Sequence, residues 1–392
     1  MRVGLDGYPL AEPRTGIGHY TFELARALAR ISPSDQFELV SPRAFSPAIL
    51  DEMADDRLPN LHTVNAKASS IRGHWWSVGL PLYIRQAGFD LFHGTNYEVP
   101  LWPRGHNVVT IHDLSTLLYP DKHRSRSVRR ARIRLPVAVR LAQKIITPTE
   151  SIRRDVCEHL GIRPAKVVAI PSAARRSFQP VPAAQSAAIR NRLGIEDDFL
   201  LFVGTLEPRK NLLTLVRAFE QVVLNTALRP QLVIAGGEGW LMDETLSFIE
   251  SSSVGERLLL TGYLGDEDLR SLYSACRMFI YPSVYEGFGL PPLEAMACGA
   301  PVIASRIAAL RETLGDAACL FAPRDVAALA ASIIELWNDD SQRQKLSSLG
   351  KQNAAKFSWE RTAQVTLDVY REVFENLTKG QAGFSEHKKG RP

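Results

Sequence analysis

Cysteine is scarce in this chain of 392 residues: Cys157, Cys276, Cys298 and Cys319 lie far apart, with no CxxC and no Cys/His metal spacing. That argues against a disulfide framework and a zinc site, and leaves four reduced, buried thiols as the expectation. No apolar run is long enough to span a bilayer. The opening residues, MRVGLDGYPL, pass directly into a strand-like segment, without the apolar stretch and small-residue cleavage site of a signal peptide. The expected location is cytoplasmic. Short-period repeats are absent too. Acidic residues are missing from a whole stretch: after Asp121 none occurs until Glu150, while Lys122, Arg124, Arg126, Arg129, Arg130, Arg132 and Arg134 crowd together. The net charge of +5 and the pI near 9.0 therefore have a local origin. No stacking aromatics interleave with these cations and no recognition motif accompanies them, so nucleic acid is not the expected partner. A polybasic patch next to an anionic membrane surface is, with a solvated helix face as the plain alternative.

What is present is the composition of a globular protein, 45% hydrophobic and 23% charged, at a length that supports two domains with a core each. Apolar strand-like runs at Val3–Leu5, Phe37–Val40, Leu91–His93, Val108–Ile111 and Ile145–Thr147 alternate with amphipathic helical stretches. The Pro-containing segment Ser172–Asp198 reads as a linker and the entry to a second domain. The rhythm then restarts with LLFVGTL (200–206), QLVIAGG (231–237), RLLLTGYL (257–264), RMFIYPS (277–283) and APVIAS (300–305). Two α/β, Rossmann-like domains follow, with parallel sheets whose ligands bind beyond the carboxyl ends of the strands. The end of the chain, 380–392, is polar and Gly- and Lys-rich, and is expected to be disordered.

The most informative segment is YPSVYEGFGLPPLEAMACGAPVIAS, Tyr281 to Ser305. A strand ends near Ser283, a glycine-punctuated loop runs from Glu286 to Leu290, and a helix starts at Pro291 or Pro292. The N–H groups of Gly287, Phe288, Gly289 and Leu290, with the positive end of the helix dipole, suit the oxygens of a diphosphate. Glu294 is expected in the first helical turn, within reach of a ribose, and Glu286 at the sugar end of the ligand. The plain alternative makes Glu294 a dipole partner and Glu286 a solvated loop residue. A second element, VGTLEPRKN, carries Arg209 and Lys210 at a strand end, where cations can stabilise the charge of a departing diphosphate.

These two segments resemble the group 1 (family 4) retaining glycosyltransferases, whose E-x7-E signature reads here as Glu286, GFGLPPL, Glu294. The likeness extends over essentially the whole chain. It implies a GT-B fold: an N-terminal acceptor domain of about 1–173, a donor domain of about 174–358 facing it across a cleft, and a last helix, about 359–377, crossing back to the first domain. It further implies that Glu286 contacts the donor sugar, Glu294 the ribose and Lys210 the diphosphate. Gly236, Tyr263 and Leu264, with Gly204 and Thr205, would lie along the donor. Thr205 stands where many members carry arginine, so either Arg209 takes over or the pocket has one cation fewer. In RTGIGHY, Gly16 is the position that comes near the donor phosphates, while the third glycine of a dinucleotide fingerprint is missing. His112 would lie beside the reacting sugar, supported by Asp113. His93 and Asn96, in LFHGTNY at the end of the preceding strand, are candidates for the acceptor side, with structural packing as the plain alternative.

Asp266, Glu267 and Asp268 spell a DxD on paper, yet they follow a strand and open DEDLRSLYSAC. Asp266 is expected as an N-cap and its neighbours as dipole-matched acids, with no metal required. No carboxylate stands out as a covalent nucleophile, which points to front-face transfer with retention. The motif's long form resembles bacterial O-antigen and exopolysaccharide mannosyltransferases, which makes GDP-mannose the first donor and a UDP-sugar the second. The expected acceptor is a glycan, lipid-linked and met at the inner face of the membrane. A sugar-nucleotide epimerase or a non-catalytic binding protein of similar fold are the rival classes; product analysis with and without acceptor separates them.

Overall fold

A computed structural model describes residues 1–11, 15–66, 74–101 and 106–389. Arg14 of the RTGIGHY segment and residues 390–392 lie outside them. Two compact units divide the chain. The first holds Met1–Leu114, Arg130–Ser172 and the segment from Ser358 on; the second holds Ser115–Arg129 and Ala173–Phe357.

In the first unit the described strands are β1 (Arg2–Asp6), β2 (Gln36–Ser41), β3 (Leu61–Asn65), β4 (Leu91–Gly94), β5 (Asn107–Thr110), β6 (Lys144–Thr147) and β7 (Val167–Ala169). They form one parallel sheet in the order β3-β2-β1-β4-β5-β6-β7. Parallel neighbours need crossover helices, and strands covered in this way become nearly continuous apolar runs. The central strands β1, β2, β4 and β5 are accordingly buried along almost their whole length. The helix Gly16–Ile31 buries Tyr20, Leu24, Ala27 and Leu28, a spacing that keeps them on one face. The final helix, Trp359–Lys389, lies against it, with the rings of Tyr20 and Trp359 6.0 Å apart, and Tyr370 reaches His93 at the end of the sheet. This helix belongs to the first unit and runs on past 380, where the sequence led to the expectation of a disordered tail.

The second unit carries β8 (Phe199–Val203), β9 (Gln231–Ala235), β10 (Leu258–Gly262), β11 (Met278–Tyr281), β12 (Val302–Ser305) and β13 (Cys319–Phe321). Among the described residues these make a second parallel sheet in the order β10-β9-β8-β11-β12-β13. Its core joins Phe199, Leu201, Leu232, Phe279 and Ile303 of the strands to Leu215, Phe219 and Val222 of the helix Leu212–Asn225. Each such large side chain contributes about 1.5–3 kcal/mol on burial, so the strand ends that carry the polar loops rest on a rigid base. The stretch from Ser172 to Asp198 is more than a linker: it contains the helix Ala183–Leu193 and, ahead of it, a buried arginine.

Candidate active site

In the second sheet the strand order reverses between β8 and β11. The crevice beyond the carboxyl ends of two such strands is where open α/β sheets bind ligands. The loop after β8 carries Arg209 and Lys210 on the single turn Pro208–Lys210, and the loop after β11 carries Glu286. Backbone and side-chain bonds stitch the two loops together. The Val284 N–H donates to the Arg209 carbonyl (2.9 Å), Asn211 Nδ2 to the Pro282 carbonyl (3.0 Å) and Arg209 Nη1 to the Tyr285 carbonyl (2.8 Å).

Charged groups converge on Glu286. Lys210 Nζ donates to Oε1 at 2.7 Å and to the Tyr281 hydroxyl at 2.6 Å, and that hydroxyl donates in turn to Oε1 at 3.0 Å. Arg209 Nη1 lies 2.9 Å from Oε2, and the other end of its guanidinium pairs with Glu207. Glu286 is buried. Burial alone would raise its carboxyl, but Arg209 and Lys210 overcome this and hold it at about 2. The solvated-loop alternative for Glu286 is therefore excluded. Behind it the chain turns through Gly289 at φ +97°, where a Cβ would come within 2.5 Å of the Leu310 side chain, so only glycine fits. Gly289 caps the helix Leu290–Ala297, which begins one residue before the expected prolines. Pro291 and Pro292 bring no N–H, so at this helix start the donors are confined to Leu290 and the preceding loop. The Phe288 carbonyl accepts from Thr313, and its ring packs edge-on to Phe357 in the core.

Glu294 departs from expectation. It is the fifth residue of its helix, not part of the first turn, and it is buried against an arginine that no sequence pattern marked. Arg175 donates from Nε to Oε1 at 2.7 Å and from Nη2 to Oε2 at 3.0 Å, while its Nη1 meets Asp266 at 2.5 Å. Burial raises the Glu294 carboxyl, against the pull of Arg175. Asp266 is not the N-cap: Gly265 takes that place and Asp266 opens the helix Asp266–Ala275. Its φ of −73° and ψ of 168° put Gly265 in the extended conformation that a cap requires. Asp268 pairs with Arg192 at 2.6 Å. Among the described residues no group of three or more His, Cys, Asp or Glu side chains is arranged to hold a metal.

Along the neighbouring strand ends, Gly236 follows β9 and a Cβ there would stand 1.9 Å from the Gly204 carbonyl, so the loops after β8 and β9 pack backbone to backbone. Thr205 is half-buried in the first of these loops. After β10, Tyr263 is largely exposed and Leu264 buried.

The remaining candidates belong to the first unit. Gly16 opens the helix Gly16–Ile31, and a Cβ there would face open space, so packing does not demand glycine. His112 follows β5, half-buried between the rings of Tyr20 and Tyr97, and its Nε2 donates to the Thr95 carbonyl at 2.8 Å. Burial lowers its pKa, which leaves a neutral ring with Nδ1 as the acceptor. The backbone N–H of Asp113 donates to the Tyr97 hydroxyl (3.1 Å). Asn96 is half-buried on the loop after β4. His93 offers nothing to an acceptor: it is fully buried, with Nδ1 on the Tyr370 hydroxyl (2.6 Å) and Nε2 on Thr110 (2.8 Å). Desolvation drives its pKa down to about 3, so it is a neutral core residue.

The basic stretch lies partly on the helix Ser125–Leu141. Arg130 and Arg134 are engaged by Glu98, at 2.7 and 2.8 Å. Val128 and Leu135 are buried, while Ile133 is 65% exposed. No helix among the described residues is long and apolar enough to cross a membrane. The four cysteines are free.

Comparison with known proteins accounts for both units. The family described as "Glycosyl transferases group 1" matches residues 185–353, and "Glycosyltransferase Family 4" matches residues 14–174. The chain is 30% identical to the O-antigen chain mannosyltransferase B of Escherichia coli, over 95% of its own length and 100% of that protein's. It is also 30% identical to a serotype-specific mannosyltransferase of the same organism, over 62% of this chain but 31% of that longer protein. Among solved structures, Anabaena HepE in complex with UDP and glucose superposes with a TM-score of 0.74 at 18% identity, covering 95% of this chain and 99% of that one. WaaG, a glycosyltransferase involved in lipopolysaccharide biosynthesis, gives 0.72 at 15%, covering 94% and 99%. The structural likenesses concern the fold, which is GT-B. With a relative matched from end to end and a family profile on each unit, the chain belongs to the group 1, family 4 glycosyltransferases.

Proposed function

We propose that this glycosyltransferase moves a hexose, mannose from GDP-mannose, with retention of configuration onto a lipid-linked glycan acceptor in cell-surface polysaccharide synthesis. The observation that carries the reading is the convergence of Arg209 and Lys210 on Glu286 at the β8/β11 switch point, beside the Gly287–Leu290 loop. In this reading the loop N–H groups and the two cations hold the donor diphosphate, Glu286 meets the sugar and Glu294 the ribose. The acceptor oxygen bonds to the anomeric carbon as the carbon–oxygen bond to the diphosphate breaks, and the acceptor proton passes to the departing phosphate oxygen. Arg209, Lys210 and the loop then stabilise the charge left on the diphosphate, which is where preorganised donors contribute most. No metal is needed in this scheme. His112, Asp113 and Gly16 are assigned to the sugar and phosphate side by family resemblance. Mannose is favoured by the mannosyltransferase relatives; a UDP-sugar is the second reading, favoured by the UDP-bound structural neighbour.

The acceptor's placement is read from the helix Ser125–Leu141, a cytoplasmic protein's peripheral contact with the inner membrane face. Arg126, Arg129, Ile133, Val137 and Arg140 follow one another at helical spacing and are all exposed, so cations flank two outward apolar side chains.

The test is a panel of GDP- and UDP-sugars incubated with the enzyme and a lipid-linked glycan, with product configuration read by NMR. Transfer from GDP-mannose to an α-linked product is expected. A β-linked product overturns retention, turnover with a UDP-sugar alone overturns the donor, and free sugar formed without acceptor overturns transfer.

A further inference from the structure

The buried partner of Glu294 adds a residue to the donor site. Arg175 lies just after the unit boundary at Ser172/Ala173, in a segment without regular structure, yet it is almost fully buried. Its guanidinium is fixed on three sides: Nε and Nη2 on the two oxygens of Glu294 (2.7 and 3.0 Å), Nη1 on Asp266 (2.5 Å), and one face on the Phe178 ring with its centroid 4.0 Å from Cζ. A planar fork held in this way determines the orientation of the carboxylate it grips. Each carboxylate oxygen spends one lone pair on arginine and keeps the other. The lone pairs left over lie on the two outer edges of the carboxylate, one on each oxygen, where each can accept a single hydroxyl.

We infer that Arg175 is a positioning residue, anchored by Asp266, that fixes the Glu294 carboxylate so that an outer lone pair of one of its oxygens accepts from the 2′-hydroxyl of the donor ribose. This rests on the proposed placement of the ribose at Glu294. It also gives the DED segment a part to play: Asp266 supports the site through Arg175 and not through a metal. A purely structural staple would tie residues 172–178 to the helix Leu290–Ala297, but it would leave the preference for ribose untouched.

The experiment measures binding of GDP and UDP, each in its ribose and 2′-deoxyribose form, by calorimetry on the full chain. A hydrogen bond to a charged acceptor corresponds to about a tenfold preference or more for ribose, and that is expected of the wild type. In Arg175→Lys, which keeps the charge and loses the fork, the preference should fall at least threefold, with thermal unfolding still cooperative. Glu294→Gln should do the same, and the double variant no more than either alone. A wild-type preference in Arg175→Lys overturns the inference. If Glu294→Gln also keeps the preference, or the wild type shows none, the ribose placement falls with it; if Glu294→Gln loses it and Arg175→Lys does not, only the role of Arg175 falls. Should Arg175→Lys fail to fold, Asp266→Asn serves in its place. It alters a more exposed residue and should also lower the preference at least threefold; an unchanged preference overturns the inference.

Discussion

Replacing Glu286 by Gln keeps the shape of the side chain and removes the charge on which Arg209 and Lys210 converge. The carboxyl sits at about 2 in the fold against an ordinary value of 4.5. Such a depression corresponds to about 3 kcal/mol in favour of the ionised form. The folded value lies below the unfolded one, so this stability is fully present above about pH 4.5 and is lost as the pH falls through about 2. At pH 7 the Glu286→Gln protein should unfold at a temperature lower by about 6–12 °C, taking 2–4 °C per kcal/mol for units of this size. The gap to wild type should narrow steadily below pH 4.5, because wild type is then losing what the variant never had. Added GDP should raise the melting temperature of the variant at least as much as that of wild type, since in the variant Lys210 lacks a carboxylate and Arg209 keeps only Glu207. Scanning calorimetry between pH 7 and pH 2.5 decides it. A variant within about 2 °C of wild type at pH 7, or a gap that does not respond to acid, would refute the role given to the two cations.

Lys210→Ala should lower the turnover number by about 10²–10³-fold, the range for loss of one charge-stabilising donor, as measured by transfer of labelled sugar. Asp268→Asn should keep its activity, with and without chelator, and change stability by less than about 1 kcal/mol, because its bond to Arg192 is a surface pair; an activity that follows added Mg2+ through Asp268 would reverse this. Arg126→Gln, Arg129→Gln and Arg132→Gln combined should reduce co-sedimentation with anionic liposomes by about 100-fold in affinity at low salt, at about 1 kcal/mol per cation. Equal binding by wild type and this triple variant would point to a solvated helix face.

Most strands that could be read from the sequence are those that packing makes apolar along their length: β1, β2, β4, β5, β6, β8, β9, β11 and β12; β10, an edge strand with no buried residue, was read from its run of leucines. The three that were not read, β3, β7 and β13, all lie at sheet edges. An edge strand is covered on fewer sides, so Leu61–Asn65 and Val167–Ala169 mix buried and half-exposed residues and lose the continuous apolar signal. The site divides along a similar line. Glu286, Arg209 and Lys210 stand in loops at strand ends, where local pattern and strand rhythm together mark them. Arg175 is 119 residues from Glu294, and nothing in SAARRSF distinguishes it from a solvated arginine. Only the tertiary fold turns it inward. His93 falls to its packing alternative for the opposite reason: a histidine at the end of a buried strand looks the same in sequence whether it faces a ligand or, as here, the Tyr370 hydroxyl of the final helix.

The pairing in the second unit also bears on the cation missing at Thr205. Lys210 and Arg209 bind Glu286, and Arg209 also binds Glu207, so two cations already face two carboxylates. Leaving one of the buried charges, Lys210, Glu207 or Glu286, unpaired would cost on the order of several kcal/mol, which is why the cluster is closed in this form. A diphosphate brought to such a cluster meets no excess of positive charge. On the proposed reading its attraction must come from directional donors, the N–H groups of Gly287–Leu290 and whichever cation bonds turn from Glu286 to phosphate. The Arg209 guanidinium is shared with Glu207 and the Tyr285 carbonyl, and its position ties the β8 loop to the β11 loop. The site then depends on how well these loops hold their shape, which explains why a glycine at φ +97° and a backbone bond from Val284 to Arg209 lie at its centre.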